Sequence, residues 1–421
     1  MSERTLNPLN VAVLLVSASY GIGFVFGTGE QARSIGMASS LYAAATGLGM
    51  LFLAAAATTF WRLGTPVWGL FHESNRSLET GVALLTALWL VGIFSVQLQG
   101  AAAVLGLTLG LSPTWQYPVA GLLAWLLGRL HPGRMATVFS VFLAVASASL
   151  IAVIAMNGGT ELYARSLPLV VSDAAHYVSP ADICVIVLST IALVVLGADY
   201  QQFVILARSR RAAVIGCLLA GAAVLLMSTL PSTAVLAAIR SGHLPPALAA
   251  KATIPYLVVQ PFGGNDTAIG KGILCTLFLA ALGSSSVVAL AATHATRRAL
   301  SLHRVSDTIV ALVVVLGGIG IAKLGTSMVG LIVSINTLFL TTIAVPLAAT
   351  LTGYGSGPRC TVAMAASFTG GLGAMCIAPS LGLEGYSWLS ALIGIGCGAI
   401  ALAIATLSRA QKSAIAEVER G

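Results

Sequence analysis

Twelve segments of about 20 mostly apolar residues follow one another along the chain, separated by charged or Pro- and Gly-rich breaks. A helix rises about 1.5 Å per residue, so about 20 residues cross the roughly 30 Å hydrocarbon layer of a bilayer. The predicted spans, numbered 1 to 12, are 9–33, 38–60, 81–106, 113–129, 135–156, 181–206, 211–239, 269–296, 307–323, 326–350, 360–380 and 387–408. This pattern predicts an all-α membrane protein, because a helix satisfies its own backbone hydrogen bonds in lipid.

Charged residues are too scarce for a soluble fold. Of 421 residues, 57% are hydrophobic and 8% are charged, and the mean hydropathy is +0.97. Soluble domains carry about 25% charged residues. The first apolar run has no small-residue cleavage site, so we expect it to remain as span 1. The longest loops, 157–180 and 240–268, are shorter than a domain, which places the expected function within the membrane.

The basic residues are distributed unevenly between alternate loops. Fifteen of the 21 Lys and Arg residues fall on the side of the termini and six on the other side. The positive-inside rule then predicts a multi-pass protein of the cytoplasmic membrane with both termini in the cytoplasm. The net charge of +8 is explained by this topology and by anionic lipid, without a nucleic-acid partner. The sequence leaves an oligomer open and does not imply one.

Two acidic residues lie inside apolar spans, at glycine-containing positions. Glu30 follows a glycine-rich stretch in span 1, and Asp199 follows Gly197 in span 6. Acidic residues in spans are costly and usually functional, and glycines permit a helix to unwind beside a cavity. The two spans are five apart, so two five-helix units would enter the membrane from opposite sides. The alternative is that the glycines only permit close helix packing and the acids lie at the outer mouth.

Span 8 contains three consecutive hydroxyls, Ser284, Ser285 and Ser286. Hydroxyl and carbonyl oxygens are suitable ligands for a small hard cation. The alternative is that these serines hydrogen-bond to their own helix or to a neighbouring helix.

Three segments resemble the sodium:solute symporter family. They are Phe24–Gln31 in span 1, Tyr200–Ser209 after the predicted break in span 6, and Ala281-x-x-Ser284-Ser285 in span 8. The resemblance covers residues 9–350 and implies the LeuT fold, two inverted five-helix repeats with broken spans 1 and 6, followed by two further helices. The implied units are a cytoplasmic N-terminus 1–8, a first repeat 9–156, an extracytoplasmic loop 157–180, a second repeat 181–350, spans 11 and 12 within 351–408, and a cytoplasmic tail 409–421.

The resemblance also implies a sodium site and a substrate site. Carried over position by position, the sodium ligands are the carbonyls of Phe24, Gly27 and Ala281 and the hydroxyls of Ser284 and Ser285. The substrate candidates are Phe26, Thr28, Glu30, Gln31, Gln97, Gln99, Asp199, Tyr200, Gln201 and Asn336. For Gln97 and Asn336 an interhelical hydrogen bond is the alternative role.

These features together predict a sodium-coupled symporter that imports a small polar organic solute by alternating access, with sodium as the coupling ion and no organic cofactor. One alternative is a proton-coupled transporter of the same fold that uses Glu30 or Asp199. Another is a membrane sensor that binds the solute without moving it. We do not expect an enzyme, because the sequence contains no nucleophile–base set, metal cluster or phosphate-binding motif.

Overall fold

A computed structural model describes residues 4–71, 76–128, 132–302, 304–323, 327–352, 357–381 and 386–418. Within these ranges every regular element is a helix, apart from one isolated β-bridge. The side chains of the tail after residue 408 lie outside the described part. The prediction of an all-α protein is therefore confirmed.

The first five predicted spans are helical in the described residues. Their helices are Pro8–Ser19 and Ile22–Ile35 for span 1, then Leu41–Leu63, Arg76–Leu109, Pro113–Leu127 and Pro132–Met156. The chain enters span 1 at Asn7, whose side chain accepts a hydrogen bond from the backbone N–H of Asn10. Pro8 follows at the first helical position, where a missing N–H costs nothing.

The remaining spans are helical as well. Their helices are Pro180–Leu196 and Ala198–Ile205 for span 6, then Arg210–Met227, Ala268–Leu300, Asp307–Ala322, Met328–Leu351, Gly357–Ile377 and Tyr386–Val418. A hydroxyl side chain caps the N-terminus of five of them by accepting a backbone N–H two or three residues later. These caps are Ser179, Ser209, Thr267, Ser306 and Ser327.

Length and composition suit these helices to a bilayer. Eight described helical stretches are long and apolar enough to cross a membrane, and three shorter apolar helices accompany them. The chain is therefore a multi-pass membrane protein. Span 7 as predicted is divided, because the helix Arg210–Met227 ends before a second helix, Leu230–Arg240, begins.

Spans 1 and 6 are both broken, as predicted, but the break in span 1 lies earlier than expected. The resemblance places the unwound segment at Thr28 and Gly29, whereas both residues lie within the regular helix Ile22–Ile35. The interruption falls at Tyr20 and Gly21, where Gly21 is extended with ψ 164°. In span 6 the break is at Gly197, directly before Asp199, as predicted.

The helix bundle has two ends. The end that contains the start of span 1 and the end of span 6 is the Leu6 side, and the end that contains the loop between spans 7 and 8 is the Lys251 side. On the Leu6 side, the buried carboxylate of Glu79 at the start of span 3 pairs with Arg298 at the end of span 8. This ion pair fixes the ends of two long helices that pack along each other.

The loop between spans 7 and 8 returns into the bundle on the Lys251 side. Its helix Thr253–Val259 contacts spans 1, 3, 5 and 8, and six of its seven residues are buried. The approach to span 1 is close: a Cβ atom added to Gly29 would lie 2.3 Å from Ile254 Cγ1. The glycine therefore permits the loop helix to dock against the second half of span 1.

Candidate functional site

The break in span 1 lies against spans 3 and 8. A Cβ atom added to Gly21 would lie 2.6 Å from Gln97 Nε2 and 2.7 Å from Ser284 Oγ. Only a glycine backbone fits there without displacing one of these polar groups. The fold therefore brings together the interrupted helix, a buried amide of span 3 and the serine segment of span 8.

The three serines of span 8 differ in their hydrogen bonds. Ser285 Oγ donates to Ala281 O at 2.6 Å, and Ser286 Oγ donates to Gly283 O at 2.7 Å. The Ser284 hydroxyl is buried and has no hydrogen-bond partner among the described residues. Ser285 and Ser286 thus hydrogen-bond to their own helix, as the alternative interpretation predicted. The Ser284 hydroxyl remains available to a ligand.

Two of the sequence-predicted sodium ligands lie further along span 1. Phe24 and Gly27 are inside the helix Ile22–Ile35, where carbonyl groups are engaged in helical hydrogen bonds. A Cβ atom added to Gly27 would lie 2.9 Å from Val329 Cγ2, so this face of the helix packs on span 10. The residue of span 1 that meets Ser284 is instead Gly21.

Asp199 lies at the break of span 6, in the first turn of the helix Ala198–Ile205. It is 1% exposed, and its Oδ1 atom has no hydrogen-bond partner in the described part of the chain. The neighbouring Tyr200 is also buried. A buried carboxylate with an unpartnered oxygen is costly, which marks this position as one built for a ligand or a proton.

Asn336 of span 10 joins a polar cluster with two aromatic residues. Trp89 Nε1 donates to Asn336 Oδ1 at 3.1 Å, and the Tyr42 side chain lies near Asn336. The Asn336 Nδ2 group has no hydrogen-bond partner among the described residues, and the side chain is 0% exposed. Asn336 therefore forms the interhelical bond and still has an available donor. Tyr42 and Trp89 were not among the residues predicted from the sequence.

Aromatic rings line this region. The rings of Tyr20, Phe24 and Tyr42 form a chain with centroid distances of 5.5 and 5.4 Å. Trp89 and Phe339 form a second pair at 5.5 Å. Phe26 is buried nearby on span 1. This chain of rings connects the first half of span 1, at Tyr20, to its second half, at Phe24, and then to span 2, at Tyr42.

The other predicted substrate residues are dispersed. Thr28 is buried, and its hydroxyl has no partner among the described residues. Glu30 is half-buried, and its Oε2 accepts from the backbone N–H of Met328 at 3.3 Å. Gln99 is buried on span 3, and its Oε1 accepts from Lys251 Nζ at 3.0 Å.

Gln201 has a structural role instead. Its Oε1 accepts from the backbone N–H of Val67 at 2.7 Å, and its Nε2 donates to Val195 O at 2.8 Å. Both ends of the amide are therefore used, and the side chain links the break of span 6 to the segment after span 2. Gln201 is not among the polar groups that the site leaves available.

A cavity of about 530 Å³ opens on the Lys251 side, between spans 1, 2, 6, 10 and 12. Tyr42 and Val333 line it, and Tyr42 lies near the buried Asn336. The other polar residues of its lining are Gln31, Ser39, Tyr177, Ser179, Asp182, Ser334 and Ser387. The cavity thus reaches from the surface to Tyr42, a neighbour of Asn336.

The Leu6 side is sealed by the segment before span 1. Leu6 forms a parallel β-bridge with Ala207, with hydrogen bonds of 3.1 and 2.9 Å to the backbone after span 6. Trp61 Nε1 donates to Ala207 O at 2.8 Å, and the Arg4 guanidinium lies 4.1 Å from the Trp61 ring centroid. The segment before span 1 therefore closes the gap between spans 1, 2 and 6 on the Leu6 side, while a second cavity, of about 130 Å³, lies on that side between spans 4, 8 and 9.

Solved structures of the same architecture match nearly the whole chain. A Na⁺-coupled sialic acid symporter in a substrate-bound outward-open state matches with a TM-score of 0.66 and 14% identity, over 95% of this chain and 89% of that one. MhsT in complex with L-phenylalanine matches with a TM-score of 0.59 and 13% identity, over 97% and 100%. MHP1, a nucleobase-cation-symport-1 family transporter, matches with a TM-score of 0.56 and 14% identity, over 99% and 94%.

These similarities define the fold as that of the LeuT-type transporters. The matched proteins are transporters and not enzymes. At 13–14% identity the likeness shows the fold alone. No protein-family model matches the chain, and no curated protein sequence matches it.

The break of span 1 offers neutral oxygen donors. Among the described residues, no group of three His, Cys, Asp or Glu side chains could hold a metal ion. The groups at this point are a buried, unpartnered hydroxyl, a second serine and the backbone at the end of the helix Pro8–Ser19. Neutral oxygen donors of this kind fit a monovalent hard cation.

Proposed function

We propose that this protein is a sodium-coupled secondary transporter that imports a small polar organic solute across the cytoplasmic membrane by alternating access. The observation that carries the proposal is the meeting of two interrupted helices with buried, unpartnered polar groups, below a cavity of about 530 Å³ that opens on the Lys251 side. A LeuT-type fold and the sodium coupling named for one structural neighbour support it.

The orientation follows from the charge distribution. With 15 of 21 basic residues on the side of the termini, the Leu6 side is cytoplasmic and the Lys251 side is external. The cavity of about 530 Å³ then faces outward, and the Leu6–Ala207 bridge closes the cytoplasmic route. The described conformation is accordingly outward-facing.

Sodium binds, in this proposal, between the end of the first helix of span 1 and span 8. Ser284 Oγ, Ser285 Oγ and Ala281 O supply ligands from span 8, and backbone carbonyls at the end of the helix Pro8–Ser19 replace those of Phe24 and Gly27, because the break at Gly21 lies beside Ser284. A hydroxyl that donates to its own helix still offers lone pairs to a cation. Bound sodium would join the moving span 1 to span 8 and favour the outward-facing state.

Sodium titration of thermal unfolding in the purified protein tests the site, with potassium keeping the ionic strength constant. Sodium should raise the unfolding midpoint, because a ligand that binds the native state stabilises it. Ser284→Ala should raise the sodium half-saturation about tenfold, the equivalent of about 1.4 kcal/mol, and Ser285→Ala should weaken sodium binding as well. Ser286→Ala is the matched control, because Ser286 lies on a different face of span 8, against spans 4 and 9. An unchanged half-saturation in Ser284→Ala would overturn the site.

Proton coupling is the second candidate, favoured by the buried, unpartnered Oδ1 of Asp199. Uptake into proteoliposomes separates the two couplings. Under sodium coupling, a sodium gradient drives accumulation, and a sodium ionophore abolishes it. Under proton coupling, a pH gradient drives accumulation without sodium. Binding without accumulation under either gradient would indicate a sensor instead.

A further inference from the structure

Asp199 lacks a positively charged partner. The side chain is 1% exposed, and none of the ion pairs formed by the described residues includes it. Its surroundings supply backbone N–H groups of Asp199 and Tyr200, at the start of a helix. An ionised carboxylate buried without a cation is strongly unfavourable, so binding of a positively charged group beside Asp199 would stabilise the folded protein.

Aromatic residues lie near the same carboxylate. A Cβ atom added to Gly197 would lie 2.8 Å from Asp199 Oδ1 and 2.9 Å from Tyr200 Cδ2, so the Tyr200 ring is next to the carboxylate. The Asp199 charge also acts on the hydroxyl of Tyr42, whose ring continues through Phe24 to Tyr20 in the ring chain described above. An organic cation is attracted to the faces of such rings, more strongly when water is excluded. A carboxylate beside aromatic rings therefore suits an ammonium group.

The remaining unpartnered groups complement the uncharged part of such a ligand. Asn336 Nδ2 is an available donor, and the hydroxyls of Thr28 and Thr337 are buried without partners in the described part of the chain. These groups can satisfy an oxygen acceptor or a hydroxyl. These groups carry no charge, so the ligand needs no second charged group to match them.

The external cavity also favours a positive solute. Its described lining contains Asp182 and several hydroxyls but no Lys, Arg or His. Two basic residues of this side form bonds elsewhere: Lys251 Nζ donates to Gln99, and Arg33 donates to backbone carbonyls of Leu248 and Pro246. A cleft lined with one sign of charge concentrates ions of the opposite sign.

We propose that the transported solute is an organic ammonium compound, with its positive nitrogen paired to Asp199 between the rings of Tyr42 and Tyr200 and its polar end on Asn336. The proposal rests on the transport function above and narrows its substrate class. It excludes anionic solutes and ranks neutral ones below their cationic isosteres, because only the cation compensates the buried carboxylate.

A charge series on the unmodified protein tests this inference without any substitution. Thermal unfolding is measured in sodium with equal concentrations of ethanolamine, ethylene glycol and glycolate, which differ mainly in the charge of one end. Choline and its uncharged isostere 3,3-dimethylbutan-1-ol form a second, larger pair. The unfolding midpoint should rise with ethanolamine or choline and remain unchanged with the neutral and anionic compounds. Equal shifts for neutral or anionic compounds, or no shift with either cation, would overturn the proposal.

Two substitutions then assign the residues. Asp199→Asn should abolish the shift produced by the cationic compound, while Glu161→Gln, which removes an exposed carboxylate on the same side, should preserve it. If Asp199→Asn does not fold, Tyr42→Leu serves instead. It should weaken binding of the cation about 2- to 30-fold, the equivalent of about 0.5–2 kcal/mol. Retention of full cation binding in either variant would exclude this site.

Transport measurements separate this inference from the proposed function. Sodium-driven accumulation of a neutral or anionic solute, without any effect of ammonium compounds, would refute the substrate class and leave sodium symport intact. Binding of ethanolamine or choline without accumulation under a sodium or proton gradient would refute transport and leave the ammonium site intact.

Discussion

Asp173, on the helix Ser166–Tyr177 that precedes span 6, accepts a 2.8 Å hydrogen bond from the backbone N–H of Met37, in the turn between spans 1 and 2. The turn begins at Gly36, whose φ of 58° is readily adopted only by glycine. Because spans 1 and 6 are the two broken helices, this bond links the Lys251-side end of one to the segment leading into the other.

Loss of this link should reduce stability. Asp173→Ala leaves the buried N–H of Met37 without its partner, and an unsatisfied buried donor costs about 1–3 kcal/mol. The midpoint of thermal unfolding in detergent should therefore fall. Ser172→Ala is the control, since Ser172 is exposed and bonds to Leu169 O in its own helix. Equal midpoints for Asp173→Ala and Ser172→Ala would contradict the structural role of the bond.

Gly21→Ala should disrupt the proposed sodium site. The added methyl group would lie within 2.7 Å of Gln97 Nε2 and Ser284 Oγ, so the break must shift away from span 8. Overpacking of this kind costs about 1–3 kcal/mol, and the sodium-dependent rise in the unfolding midpoint should be lost. Gly272→Ala, on span 8 with no atom within 4 Å of the added Cβ, should keep that rise. A Gly21→Ala protein with a normal sodium response would show that the break does not form the site.

Trp61→Phe should loosen the seal on the Leu6 side. The substitution retains a ring for Arg4 but removes the 2.8 Å hydrogen bond to Ala207 O, a loss of about 1 kcal/mol. The bridging N–H groups of Leu6 and Arg208 should then exchange with deuterium several-fold faster, as measured by mass spectrometry. Trp115→Phe is the control, because Trp115 is 62% exposed. Unchanged exchange would mean that Trp61 does not hold the seal.

Arg298→Gln should be more harmful than removal of an exposed ion pair. Glu79 has only 5% of its side chain exposed, so loss of Arg298 leaves a buried charge, which costs up to about 3–5 kcal/mol. By contrast, Glu161→Gln removes a pair in which both side chains are 74% exposed, worth at most about 1 kcal/mol. The two unfolding midpoints, compared in one buffer, check the ranking. Similar losses would show that the Glu79 charge is compensated by other groups.

The spans could be predicted because bilayer thickness alone sets their length, and all twelve predicted positions are helical in the described residues. The position of the first break could not be predicted. Gly21, Gly27 and Gly29 look alike in the sequence, and only their tertiary neighbours separate them. Gly27 faces Val329 and Gly29 faces Ile254, as the close-packing alternative proposed, while Gly21 alone of these three lies beside Ser284.

Candidate site residues could be predicted where a polar residue stood out against an apolar span. Asp199, Asn336 and Ser284 were predicted in this way, and each has an unpartnered polar atom in the described structure. Tyr42 and Trp89 were missed because an aromatic residue in a membrane helix gives no signal of its own. Their role depends on contacts between residues far apart in sequence, which only the folded chain reveals.

The Leu6–Ala207 bridge also constrains the order in which the chain is assembled. Leu6 is synthesised about 200 residues before its partner Ala207. The segment that contains Leu6 therefore stays unpaired until span 6 has been inserted, so the route on this side of the bundle closes only when more than one repeat has folded.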